Sequence, residues 1–119
     1  MNLSHCHIQV KDMALARRFY EQVFEFREDF VCDEFEVFLR NGADFVLGLE
    51  QVPNPETLPS WFHFGFDVKK EAKLREVFDR VRSGGFTVRR EIKDFGESVN
   101  FFCQDPDGTK IEVYFNRKD

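Results

Sequence analysis

Residues 102–112, FCQDPDGTKIE, give the clearest structural signal in the sequence, because a turn motif lies here between two strand patterns. In the run Asp-Pro-Asp-Gly at 105–108, proline sets φ, aspartate bonds the local backbone and glycine allows a positive φ. Residues 98–103 and 110–115 on either side are predicted as strands. In the last strand, Ile111, Val113 and Phe115 share one face, and Lys110, Glu112 and Tyr114 share the other.

The segments before this hairpin predict one more strand, a helix and a further strand. Strands are predicted over 61–68 and 86–90. Between them, apolar residues recur at helical spacing up to a Ser-Gly-Gly stop at 83–85. These apolar residues are Leu74, Val77, Phe78 and Val81.

The first half of the chain repeats the order strand, helix, strand, strand, strand. A strand over 5–10 precedes a helix that Asp12 can cap. Three strands follow, over 26–31, 35–40 and 43–50, with Asn41-Gly42 predicted as the hairpin turn between the last two. The helix has apolar residues at Ala16, Phe19, Tyr20 and Val23. A half of this kind exposes a sheet face that it cannot bury alone, so two halves or two chains must pair.

Composition bounds the class of protein. The chain has 119 residues, 42% of them hydrophobic, and a formal net charge of -5. This predicts one soluble domain without a membrane span, and it disfavours nucleic acid as a partner. The N-terminus lacks a signal-peptide pattern, so we expect a cytoplasmic protein with reduced thiols. Of the three cysteines, Cys6 and Cys103 are expected in the core.

Alternation places every histidine on a strand face directed away from the helices. His5 and His7 share one face of the first strand, and His63 shares a face with Trp61 in the strand over 61–68. Glu112 faces the same way in the last strand. Two imidazoles and one carboxylate form the donor set of a metal site with open positions. The alternative is that these are hydrated or hydrogen-bonded sheet residues.

Three motifs resemble the vicinal oxygen chelate superfamily, which includes glyoxalase I, fosfomycin-resistance proteins, extradiol dioxygenases and bleomycin-resistance proteins. They are 5–12 (HCHIQVKD, followed by Phe19-Tyr20), 63–68 (HFGFDV) and 102–112. The resemblance implies an α+β fold of two paired βαβββ modules forming a half-open barrel around a concave site. Residues 1–119 are then a single glyoxalase/bleomycin-resistance-like domain: module one over 1–52, a Pro-rich linker over 53–59 and module two over 60–119.

The resemblance also implies a metal site. Its ligand positions fall on His5, His63 and Glu112, which would hold one divalent ion such as Zn, Ni, Fe or Mn. Glyoxalase I enzymes have a fourth ligand where this chain has Gly48, and Glu50 could replace it only if the strand register slips. The family's helix-ending glycine is replaced by Glu25, a second departure.

The resemblance further implies an enzyme, namely a metal-dependent lyase, isomerase, transferase or dioxygenase that chelates a small substrate through two oxygens. Glu112, Tyr114 and Glu50 are the candidate catalytic residues. The candidate substrate-binding residues are His7, Trp61, Phe102 and Tyr114.

Two other functions stay open. One is a metal-free, bleomycin-resistance-like protein that binds a cationic aromatic drug in a Phe/Trp-lined cavity. The other is a folded domain with a vacant cavity and no catalytic role. A homodimer is expected, because members of the family commonly pair two chains to complete the cavity, and the metal site could then be shared between chains.

Overall fold

The computed structural model describes residues 1–118 and divides the chain into two compact units. The first unit spans Met1–Thr57, and the second begins at Leu58. Each contains one helix and one four-stranded sheet. The α+β class and the two βαβββ modules predicted from the sequence are confirmed.

Module one consists of β1 (His5–Val10), α1 (Met13–Phe24), β2 (Arg27–Asp33), β3 (Glu36–Arg40) and β4 (Val46–Gln51). Its sheet has the order β1-β4-β3-β2, with β1 parallel to β4 and the other pairs antiparallel. The Asp12 side chain accepts a hydrogen bond from Leu15 N at 3.1 Å, which confirms it as the N-cap of α1. The buried face of α1 contains Met13, Ala16, Phe19, Tyr20 and Val23.

Module two consists of β5 (Phe64–Asp67), α2 (Glu71–Ser83), β6 (Thr87–Asp94), β7 (Ser98–Gln104) and β8 (Lys110–Asn116). Its sheet has the order β5-β8-β7-β6, with β5 parallel to β8 and the other pairs antiparallel. Helix α2 buries Leu74, Val77 and Val81. These side chains supply the apolar face that covers one side of the sheet.

The turn at 105–108 fixes the start of β8. The buried Asp105 side chain accepts hydrogen bonds from Asp107 N and Thr109 N, both at 2.9 Å. Gly108 has a φ of 87°, which a residue with a Cβ adopts at a cost. In β8, alternate residues are fully or almost fully buried, namely Ile111, Val113 and Phe115. The predicted facing of Glu112, away from this core, is therefore confirmed.

The structure corrects several predicted boundaries. The strand predicted over 61–68 begins only at Phe64, so His63 lies just before it. The strand predicted over 86–90 continues to Asp94. The strand predicted over 43–50 begins at Val46, because the Asn41 side chain holds a longer turn by accepting from the backbone of Ala43 and Phe45. The left-handed residue in this turn is Asp44 and not a glycine, so the prediction of a two-residue Asn-Gly turn was wrong.

The three cysteines are free thiols, as predicted. Burial raises the pKa of the Cys103 thiol to about 12, and burial also raises the pKa of the half-buried Cys6. Both therefore stay protonated near neutral pH. No helix among residues 1–118 combines the length and apolar character needed to cross a membrane.

Glu25 ends α1 in the left-handed conformation, with a φ of 61°. A residue with a Cβ adopts this conformation at a cost of roughly 1–2 kcal/mol, which glycine does not incur. Part of the stability gained by a glycine is offset by the larger conformational entropy of glycine in the unfolded chain. We expect Glu25→Gly to raise the free energy of unfolding by about 0.5–1 kcal/mol in urea denaturation. Glu25→Ala removes the same carboxylate but keeps a Cβ, so a glycine variant no more stable than the alanine variant would refute this prediction.

Arg117 clamps the end of β6 by donating from both terminal nitrogens to Asp94, at 2.7 and 2.9 Å. Hydrogen bonding to Arg117 lowers the pKa of Asp94 from 3.8 to about 2. Since the folded pKa is the lower one, the stabilisation exists above about pH 4 and is lost as the pH falls through about 2. Asp94→Asn is expected to lower Tm modestly at pH 7, and the difference from wild type should close between about pH 4 and 2.

The matched control for this pH titration is Glu97→Gln on the same hairpin. The Glu97 carboxylate of the wild type pairs with Lys118. The Tm difference of this variant from wild type should stay small throughout the titration. A difference for Asp94→Asn that does not change with pH would contradict the role of the clamp.

Candidate functional site

A pocket of about 440 Å³ lies in module two and is lined mainly by polar residues. The polar residues that line it are His63, Ser98, Asn100, Glu112, Tyr114 and Asn116. Those that lie in β7 and β8 alternate with the buried core residues of the same strands. Strand alternation therefore places polar side chains in the pocket and apolar ones in the core.

Strand register brings Gly65, Glu112 and Phe102 side by side across three strands. A Cβ built on Gly65 would lie 3.3 Å from the Glu112 Cβ and 3.6 Å from a ring carbon of Tyr114. The absence of a side chain at this position thus keeps the space in front of Glu112 open. This is a close approach that glycine permits.

His63 and Glu112 form the central pair of the pocket. His63 Nε2 lies 3.6 Å from Glu112 Oε1. Two ligands that each lie about 2.1 Å from a tetrahedral metal ion are about 3.4 Å apart, close to this separation. An imidazole nitrogen and a carboxylate oxygen are common donors to first-row divalent ions. The pair therefore fits a metal ion of the kind that the sequence motifs imply.

The contacts of His63 favour the tautomer that binds a metal through Nε2. Its Nδ1 lies 3.3 Å from the carbonyl oxygen of Trp61. A carbonyl only accepts, so this contact is a hydrogen bond when Nδ1 carries the proton, and Nε2 then keeps its lone pair. The Phe102 ring packs edge-on against the imidazole, with a centroid distance of 5.3 Å. Both contacts restrict the ring's orientation.

Glu112 accepts a hydrogen bond from Asn100, which in turn accepts one from Arg90, and neither residue belongs to the three sequence motifs. Asn100 Nδ2 donates to Glu112 Oε2 at 2.8 Å, and Arg90 Nη2 donates to Asn100 Oδ1. Asn100 lies two residues before Phe102 in a predicted strand, so alternation could have placed it on the pocket face. The contact with Arg90 has no such signal in the sequence.

Tyr114 lines the pocket beside Glu112, and its roles in catalysis and substrate binding stay predictions. Phe102 contacts His63 and so lies next to the pair. Trp61 differs from these, because 74% of it is exposed and its ring packs against Phe62. The backbone carbonyl of Trp61, and not its ring, contacts His63 Nδ1.

Module one carries the other predicted residues. His5 is exposed at the first position of β1. His7 Nε2 lies 3.8 Å from both Glu36 Oε2 and Glu50 Oε1. A Cβ at Gly48 would meet His7 Nδ1 at 2.5 Å, so His7 occupies the space that a fourth ligand at position 48 would need. Glu50 faces His7 in this module, and its role as a replacement ligand stays a prediction.

Within residues 1–118, no group of three or more His, Cys, Asp or Glu side chains is placed to hold a metal ion. The structure brings together two of the three predicted donors, His63 and Glu112. The participation of His5 stays a prediction.

The chain belongs to the glyoxalase/bleomycin resistance protein/dioxygenase superfamily, whose family model matches residues 2–113. The resemblance seen in the three sequence motifs is thereby confirmed.

Solved structures share the fold. The fosfomycin resistance protein FosX from Listeria monocytogenes has a TM-score of 0.84 at 19% identity, covering 98% of this chain and 93% of that one. A possible glyoxalase from Bacillus cereus has a TM-score of 0.80 at 26% identity, covering 95% of this chain and 97% of that one. Lactoylglutathione lyase from Agrobacterium tumefaciens has a TM-score of 0.76 at 20% identity, covering 96% of this chain and 92% of that one. No curated protein matches the sequence significantly.

Proposed function

We propose that this protein is a divalent-metal-dependent enzyme of the glyoxalase-like group that acts on a small substrate with two neighbouring oxygens. The observation that carries the proposal is the approach of His63 Nε2 to Glu112 Oε1 in a polar pocket. Enzymes of this fold include the lactoylglutathione lyase and the fosfomycin resistance protein compared above. The names of these two proteins support a small oxygen-bearing substrate for this chain.

His63 and Glu112 would hold the ion, and His5 is the third ligand that the sequence motifs predict. Zn, Ni, Fe and Mn all suit two imidazoles and a carboxylate. When bound, such an ion supplies Lewis-acid stabilisation of negative charge on substrate oxygens. His5 comes from the same chain or, in the homodimer that we propose, from a second copy.

The remaining pocket residues would bind and orient the substrate. The Tyr114 hydroxyl and the Asn116 amide line the pocket and carry hydrogen-bond donors for substrate oxygens. Phe102 would form an apolar wall beside His63. Glu50, which faces His7 in module one, is retained as the candidate base.

Titration calorimetry of chelator-treated protein with Zn²⁺, Ni²⁺ and Mn²⁺ tests this proposal. We expect one ion per chain for at least one of these metals. No binding of any of them, together with tight binding of a cationic aromatic drug in the presence of chelator, would instead support the bleomycin-resistance-like alternative. Binding of neither would support a domain with a vacant cavity.

A further inference from the structure

We propose that Arg90 and Asn100 are positioning residues that orient the Glu112 carboxylate for metal binding. The inference rests on the proposed function, because it concerns how one proposed ligand is held. It assigns a role to two side chains, from β6 and β7, that do not themselves belong to the predicted ligand set.

The orientation of the Asn100 amide follows from its two partners. The Arg90 guanidinium can only donate, so the amide oxygen of Asn100 must face Arg90. The amide nitrogen then faces Glu112 and donates to Oε2 at 2.8 Å. Arg90 therefore determines which end of Asn100 reaches the carboxylate.

Arg90 is itself fixed by several contacts. Its Nη1 donates to the carbonyl oxygen of Glu91 at 3.0 Å. Its guanidinium carbon lies 5.1 Å from the centroid of the Phe102 ring and 6.0 Å from that of Phe95. A planar cation held between a carbonyl and aromatic rings has less freedom than an ordinary surface arginine.

The consequence for Glu112 is that its two oxygens have different roles. Oε2 is occupied by the donor from Asn100, and Oε1 is the oxygen nearer to His63 Nε2. Hydrogen bonding to a ligating carboxylate by an outer residue commonly raises metal affinity by about 10–100-fold. The positive charge of Arg90 opposes metal binding, but we expect the orienting effect to exceed it because Asn100 separates the two charges.

The test is calorimetric titration of the full-length, chelator-treated protein with Zn²⁺. Asn100→Leu and Arg90→Leu should each weaken binding about tenfold. If Arg90 acts through Asn100, the double variant should bind no more weakly than Asn100→Leu alone. Arg89→Leu is the matched control, because Arg89 is exposed and donates to Gln104 instead; its affinity should equal that of wild type.

Two further measurements separate positioning from loss of folding. Thermal unfolding must show that each variant is folded, and the visible absorption of the Co²⁺-loaded protein reports ligand geometry. We expect the Asn100→Leu and Arg90→Leu spectra to differ from wild type and the Arg89→Leu spectrum to match it.

Unchanged or tighter Zn²⁺ binding in folded Asn100→Leu would overturn the inference, as would additive effects in the double variant. If His63→Ala abolishes binding while Asn100→Leu does not, only this inference fails. If wild type binds no metal, the proposed function fails and the inference fails with it.

Discussion

Glu112→Gln is expected to abolish high-affinity Zn²⁺ binding, lowering the affinity by more than about 100-fold. Glutamine preserves the size of the side chain but removes the negative charge that pairs with the ion. Even changes to residues outside the ligand set cost about 10–100-fold, so loss of a ligand should cost more. His63→Ala should have an effect of similar size, because it removes the other half of the pair. Calorimetric titration measures both.

Glu97→Gln is the control for the replacement of a glutamate carboxylate by an amide. Glu97 is exposed and pairs with Lys118, and it does not line the pocket. Its variant should bind Zn²⁺ like wild type. If Glu112→Gln keeps wild-type affinity, the Glu112 carboxylate is not a metal ligand, and the proposed function is contradicted.

Asp105→Ala is expected to destabilise the protein by about 3 kcal/mol, since it leaves two backbone N–H groups without their charged acceptor. The Asp105 carboxylate is 1% exposed and accepts from Asp107 N and Thr109 N. Because this turn determines where β8 begins, the loss should also weaken metal binding through Glu112. Urea denaturation gives the free energy, and Zn²⁺ titration gives the affinity.

Asp105→Asn distinguishes hydrogen bonding from charge at this turn. Its amide oxygen can still accept from both N–H groups, so it should lose clearly less stability than Asp105→Ala. Equal losses in the two variants would show that the hydrogen bonds to this side chain do not hold the turn.

The strand faces that alternation specifies were predicted correctly. The turn at 105–108 sets the register of β8, so the position of Glu112 on the face opposite Ile111 and Val113 follows from the sequence. The same alternation places His5 and His7 opposite the buried Ile8. Periodicity also predicted α1 and α2, because each keeps one continuous apolar face.

The parts that depend on side-chain hydrogen bonds or irregular pairing could not be predicted. Asn41 lengthens the turn before β4 through its own side chain, which no periodicity reveals. Strand β6 pairs with β7 through two register shifts on either side of Arg90. Since each shift changes which residues lie opposite one another, the contact between Arg90 and Asn100 could not be predicted from the spacing of residues in the sequence.

The most direct test of the metal-site claim is a crystal structure of the zinc-loaded protein with diffraction data on both sides of the zinc absorption edge. We predict one anomalous peak per chain within bonding distance of His63 Nε2 and Glu112, with His5 of the same or a second copy completing the site. The absence of a peak there, or a peak that is bound only to other residues, would contradict the proposed metal site.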